Sequence, residues 1–285
     1  MLADISSVLL WAALLSCSAG SSLHLRKRAG VLLASQGILA SVGGLVCALA
    51  LRADLGASTY VLAGITGALL ALAHLPVLRS GGRQALLPIT AGAHFFFSSL
   101  WLAFPDLTGG SGGLLIGKPA GFDGSIGWLI AAMAGFSAWM WRDRLSMGAR
   151  FRWAVLREEN VRAEALGVPA LRMQVLLFVW YGTANALAGA VGIRASGFLS
   201  PHAFGFSWSL AALAVVMFPS SLVTRLVTLP LIFAALRVFP RAVLPVSVGA
   251  SQLIEMAFPV ILFSALAIAR FRAHSREVVA SGRPN

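Results

Sequence analysis

Eight apolar stretches of membrane-crossing length leave this chain little choice of fold. They run over residues 5–25, 30–51, 57–78, 84–104, 125–141, 173–193, 204–224 and 246–269, with a shorter one at 226–236. A bilayer core about 30 Å thick takes roughly 20 helical residues, each rising about 1.5 Å. In hydrocarbon every backbone amide and carbonyl needs a partner within the protein, so such stretches fold as helices. The expected class is all-α: one polytopic domain over residues 1–285, with eight or nine transmembrane helices. A hydrophobic content of 58%, against about 45–50% in soluble domains, excludes a soluble enzyme carrying one anchor.

The net charge of +12 would suit a nucleic-acid partner, but its distribution excludes one. Arg26, Lys27 and Arg28 follow the first stretch, Arg79 and Arg83 the third, and seven arginines the fifth. The alternate loops hold only Arg52, Lys118 and Arg194. Twelve against three over the first 200 residues is the positive-inside bias, and it places the amino terminus outside. Eight crossings leave Arg270, Arg272 and Arg276 outside, and nine bring them to the cytoplasm.

Local motifs remove several chemistries. Cys17 and Cys47 both lie in apolar stretches, so neither a disulfide framework nor a metal site is expected. Leu14-Leu15-Ser16-Cys17 looks like a lipoprotein cleavage box, but Asp4 precedes it and the basic cluster follows it, so residues 5–25 read as a retained helix. In the outer glycine-rich loop, residues 105–124, Gly112 to Lys118 mimics a phosphate loop; Pro119 replaces its magnesium-binding hydroxyl residue. There is no HExxH, no CxxC, no GxSxG with a plausible His partner and no intramembrane carboxylate pair, so no enzyme, catalytic residue, metal or cofactor is expected.

The one long charged segment, residues 142–172, holds seven arginines and four acids between two apolar stretches. Residues 151–166 contain neither Pro nor Gly, and Glu158 with Arg162 forms an i,i+4 pair in the favourable orientation. Gly167 is a natural stop, reinforced by Pro169. The expectation is one helix over 151–166 with Val155, Leu156, Val161, Ala165 and Leu166 as its apolar contacts. Such a helix either docks in a groove on a partner or lies on the membrane as a connector.

Arg157-Glu158-Glu159-Asn160, then Ala163-Glu164-Ala165-Leu166-Gly167-Val168 and Gly197-Phe198-Leu199-Ser200-Pro201, together with Thr108-Gly109-Gly110-Ser111-Gly112-Gly113-Leu114, carry a family resemblance. The chain resembles the inner-membrane permease subunits of branched-chain amino acid ABC transporters, as a divergent member. Those have a cytoplasmic R-x-x-R-E-N-x-x-x-A-x-A-L-G segment and a TGGSxGL loop. It departs from them at Asp54 to Tyr60, and at Met217 to Ser221 where the family has a glycine turn. The resemblance implies a bacterial inner-membrane importer of branched-chain or related small amino acids, with urea and short amides close behind. It also implies a second homologous permease, two cytoplasmic ATPases that bind the ATP, and an extracytoplasmic binding protein. By the same resemblance Arg157, Glu158, Glu159, Asn160, Ala163, Glu164, Leu166 and Gly167 form the ATPase-coupling element.

Polar groups inside a membrane are expensive and mark pathways or helix contacts. Gln36, Asn185 and Glu255 are the leading candidates for a substrate path, beside His94, Ser98, Ser99, Thr183 and Gln252. Asn185 lies on a stretch whose Gly182, Ala186 and Ala190 suit close helix packing, which makes it equally a helix-to-helix hydrogen-bond partner. His94 reads as a packing residue, and Glu255 as a partner for Arg225 or Arg237. An ion-coupled carrier working alone through Glu255, or a non-transporting structural subunit, is the alternative to the importer.

Overall fold

The computed structural model describes residues 2–56, 58–80, 82–117, 147–158, 160–200, 203–219, 221–243 and a few positions between 257 and 268. The expected span at 125–141 lies outside them, as does most of 246–269. Among the described residues, 84% are helical. Among the described residues four helices, Ile5–Ala29, Ser58–Ser80, Gly82–Ala103 and Ala170–Ser196, are long and apolar enough to cross a membrane, while Gln36–Arg52 and Phe206–Met217 are apolar but shorter.

Chain order is α1 (Leu2–Ala29), α2 (Gln36–Arg52), α3 (Ser58–Leu72), α4 (His74–Ser80), α5 (Gly82–Ala103), α6 (Pro105–Thr108), β1 (Leu114–Leu115), α7 (Met147–Glu158), α8 (Asn160–Ala165), α9 (Ala170–Ser196), β2 (Phe198–Leu199), α10 (Phe206–Met217) and α11 (Leu229–Val243). Helix α9 is the hub, packed on α1, α2 and α3, and α1 in turn meets α7, α10 and α11. The reason is side-chain size. A Cβ on Gly43 would fall 2.5 Å from the Ala186 Cα, one on Gly182 would fall 2.6 Å from the Ala71 Cβ, and one on Gly189 would fall 2.7 Å from the Ala40 Cα. Lipid tails give no hydrophobic drive between helices, so close backbone approach along small residues supplies the attraction. Helices α3 and α5 lie at the edge, where Ile65, Leu69, Phe95 and Phe96 are exposed as lipid-facing residues are.

Three expected helices are interrupted. The span expected from residue 30 begins only at Gln36, and residues 31–35 run as buried, non-helical backbone. The Gly30 amide closes α1 on the Arg26 carbonyl at 3.1 Å. Beyond it polar side chains replace helical bonds: the Ala34 amide donates to Thr90 Oγ1 at 2.8 Å, the Ala34 carbonyl lies 2.6 Å from His94 Nε2, and the Gly37 amide donates to Ser209 Oγ at 2.7 Å. Irregular backbone is tolerated at membrane depth when buried in protein this way. Pro76 cannot donate to Leu72, and the third span breaks at Ala73 accordingly. The stretch expected at 204–224 ends as helix at Met217, and a π-turn over Thr224–Thr228 leads into α11 just before Pro230.

Candidate functional site

Two regions draw the predicted residues together. The first is at the basic end. The expected helix over 151–166 is helical on both sides of Glu159, as α7 and α8, and Glu159 itself lies outside the described residues. Arg83, at the start of α5, donates to the carbonyls of Leu156 (2.5 Å), Glu158 (3.2 Å) and Arg157. Val155 and Leu156 pack on Ala163, Val168 and Ala170. Glu158 pairs with Arg162 at 3.2 Å, as the spacing predicts, but both side chains are more than half exposed and such a pair contributes only about 0.3–0.5 kcal/mol. Glu164 pairs with Arg79 of α4 at 3.3 Å. The α4–α5 turn thus holds both helices.

Gly167 ends α8 as predicted. Its φ is +73°, its amide donates to the Glu164 carbonyl at 3.0 Å, and the Val168 amide donates to Ala163 at 2.9 Å. That is a Schellman closure, with buried Val168 against Ala163 as its apolar contact. Leu166 stands exposed at the tip. Asn160 lies in α8, directly after Glu159, which lies outside the described residues. Arg157, Glu158, Ala163, Glu164, Leu166 and Gly167 therefore share one surface element fixed to the helical bundle.

The second region is a buried, uncharged polar seam. Gln36 Nε2 donates to Ser22 Oγ at 3.0 Å, and Ser22 donates to the Ser18 carbonyl at 2.9 Å. Ser18 Oγ donates to Asn185 Oδ1, while Asn185 Nδ2 donates to Ser21 Oγ (3.2 Å) and to the Tyr181 carbonyl (2.8 Å). The Tyr181 hydroxyl lies 3.1 Å from Ser35 Oγ. Gln36 and Asn185, predicted separately, are thus joined through the α1 serines. Gln36 Oε1 is buried with no hydrogen-bond partner among the described residues. His94 Nε2 faces the Ala34 carbonyl and, at 2.8 Å, Ser209 Oγ; a carbonyl only accepts, so Nε2 carries the proton. His94 is accordingly a satisfied packing residue that supports the non-helical segment. Thr183 donates to Gly64 at 3.3 Å across α9 and α3, and Ser99 to its own helix at Phe95. Gln252 and Glu255 lie outside the described residues.

At the end opposite the basic one, the glycine-rich loop and the motif at 197–201 meet. Leu114 and Leu115 pair antiparallel with Leu199 and Phe198. A Cβ on Gly113, whose φ is +76°, would stand 2.5 Å from the Leu199 carbonyl oxygen, so only glycine lets the loop reach this strand. Thr108 Oγ1 accepts from the Gly110 amide at 3.1 Å and lies 2.7 Å from the Trp101 carbonyl.

Sequence reading missed Arg83, the α1 serines and Arg237. Ser18, Ser21 and Ser22 have the i,i+3 and i,i+4 spacing of one helix face, a signal that was present but masked by the apolar run around them. Arg237, expected only as a partner for Glu255, is buried with its guanidinium 4.0 Å over the Trp11 ring and donates to the Ala203 carbonyl at 2.6 Å. The chain matches no protein-family model, no curated protein and no solved structure.

Proposed function

We propose that this chain is the membrane-spanning permease subunit of an ABC importer, taking branched-chain or related small amino acids and driven by partner ATPases. The observation that carries the reading is the α7–α8 pair. It presents an exposed apolar tip at Leu166, while its base is held by Arg83 and Arg79 to the turn between two apolar helices. An element so fixed passes a push from a partner into the bundle instead of absorbing it. Supporting it, the paired outer motifs at β1 and β2 stand at the opposite end, where a binding protein would deliver substrate.

In this reading the basic end faces the cytoplasm of a bacterial inner membrane, the amino terminus lies outside, and a second homologous permease completes the pathway. The neutral seam around Gln36 and Asn185 is the substrate path, opened when α1 separates from α2 and α9. ATP binds the partners. The test is affinity purification of the tagged chain from native membranes in mild detergent. Recovery of two ATPases and a second permease is the expected result; recovery of this chain alone contradicts it. One observation favours a second reading, a carrier working without ATPases: residues 31–35 break the second apolar helix inside the protein, as discontinuous helices do in ion-coupled carriers. Uptake driven by an ion gradient in vesicles lacking ATP would select it.

A further inference from the structure

Helix α10 ends at Met217, and the chain returns toward α11 through the π-turn Thr224–Thr228, which carries Arg225. Pro230 has no amide to give the Leu226 carbonyl, and Ser16 Oγ of α1 donates to that carbonyl instead. The Leu229 amide reaches back to the Thr224 carbonyl, the longer bond that defines a π-turn and a feature frequent at functional sites. Ser16 stands midway along the apolar run of residues 5–25, so the turn pinned to it enters the middle of the hydrocarbon layer. Arg237, further along the same return, is satisfied there by the Trp11 ring and the Ala203 carbonyl. Arg225 has no such provision: among the described residues its side chain makes no hydrogen bond and no ion pair. Its Nε is buried, while the residue as a whole is half-buried, so the fork of Nη1 and Nη2 is the part that opens to the surface. A guanidinium without an acceptor is expensive against lipid, and such groups face a water-filled path and meet an acceptor there.

We propose that Arg225 binds the carboxylate of a small apolar acid. One guanidinium matches the two oxygens of a carboxylate in a bidentate pair and balances its single charge, where a phosphate dianion would leave charge over. Lipid headgroups lie too far from the middle of the layer to supply the anion. Next to the fork, the Thr224 amide donates to Ser221 Oγ at 3.2 Å and the two hydroxyls lie 2.9 Å apart, a polar edge one turn before Arg225. Leu222, on the same turn, is 44% exposed and offers an apolar contact to the body of the acid. Ser16 faces this turn, whereas Ser18, about 200° further round α1, faces the Gln36–Asn185 seam. The Arg225 site is therefore separate from that seam, and the inference is independent of the importer reading.

The full-length protein in phosphatidylcholine nanodiscs provides the test, with equilibrium binding and thermal melting measured for isovalerate and for its neutral isostere isovaleramide. Wild type should bind isovalerate and melt higher with it, and should bind isovaleramide at least about tenfold more weakly. Arg225→Gln should abolish that preference, and Arg225→Lys, which keeps the charge without the fork, should retain only part of it. Arg172→Gln, at an exposed cation of α9, should behave as wild type. Ligand-free melting of each variant reports its folding, and the preference of wild type for acid over amide stands as a test without any variant. No binding of isovalerate to wild type, equal binding of acid and amide, or a preference that survives Arg225→Gln overturns the proposal. Binding that appears only in Glu255→Gln overturns it too, because it assigns Arg225 to an ion pair within the chain.

Discussion

Replacing Gly189 by alanine tests the packing argument at its tightest point. The added Cβ would lie 2.5 Å from the carbonyl carbon of Ala40 and 2.7 Å from its Cα, and both atoms belong to the α2 backbone. Carbon atoms prefer separations of about 3.5–4.0 Å, so α2 would have to withdraw from α9 by about 1 Å. A gap of that size forfeits a quarter to a half of the dispersion well along the contact, and overpacking of this kind costs about 1–3 kcal/mol. The helix-propensity gain of alanine over glycine offsets about 1 kcal/mol of that. The net expectation is a loss of up to about 2 kcal/mol. Gly92, on the exposed face of α5, has nothing within 4 Å of its would-be Cβ. There the same substitution keeps only the gain of about 0.5–1 kcal/mol. Unfolding of both variants in one detergent, measured by steric trapping or thermal melting, should shift in opposite directions. If Gly189→Ala is tolerated as well as Gly92→Ala, small-residue contact does not hold α2 on α9.

Other perturbations follow from single contacts. Arg83→Gln removes the donors for the last carbonyls of α7, so amide exchange across residues 147–158 should rise at least several-fold while the rest of the bundle stays protected. Gly167→Pro cannot adopt a φ of +73°, and it should undo the closure of α8 by Val168 on Ala163 and abolish uptake while the protein still inserts and can be counted on immunoblots. Asn185→Leu breaks the bonds to Ser18 and Ser21 and should cost about 0.6–1.7 kcal/mol, the range for hydrogen bonds between membrane helices. Gln36→Leu removes a buried acceptor that has no partner among the described residues but also the Nε2 bond to Ser22, so the two effects oppose and stability should change by less than about 1 kcal/mol. A fall in transport at unchanged stability would then mark Gln36 as part of the substrate path.

What could be read from the sequence divides along physical lines. Apolar length gave the helical class, and the spacing of Gly182 and Ala186 located the α9 contact, because both depend on local composition. Gly167 was legible as a helix stop for the same reason: φ preference belongs to the residue itself. How residues 151–158 are fastened to the bundle was not legible, since nothing near them in the sequence names a partner. The donor that fastens them, Arg83, sits more than seventy residues away. The loss of helix over residues 31–35 is of the same kind, being held by Thr90, His94 and Ser209 from two other helices. In the candidate site, Gln36 and Asn185 stood out as isolated polar residues. Their connection through Ser18, Ser21 and Ser22 depends on how α1 crosses α9, which only the folded chain displays.

The account turns on the α7–α8 tip meeting an ATPase. The most direct measurement places a photoreactive amino acid at Leu166, exposed at that tip, and at Val61, exposed on the lipid-facing side of α3, and irradiates native membranes. The account predicts a covalent adduct to an ATPase subunit from Leu166 and none from Val61. Lipid adducts alone from Leu166, at an expression level matching wild type, would contradict it.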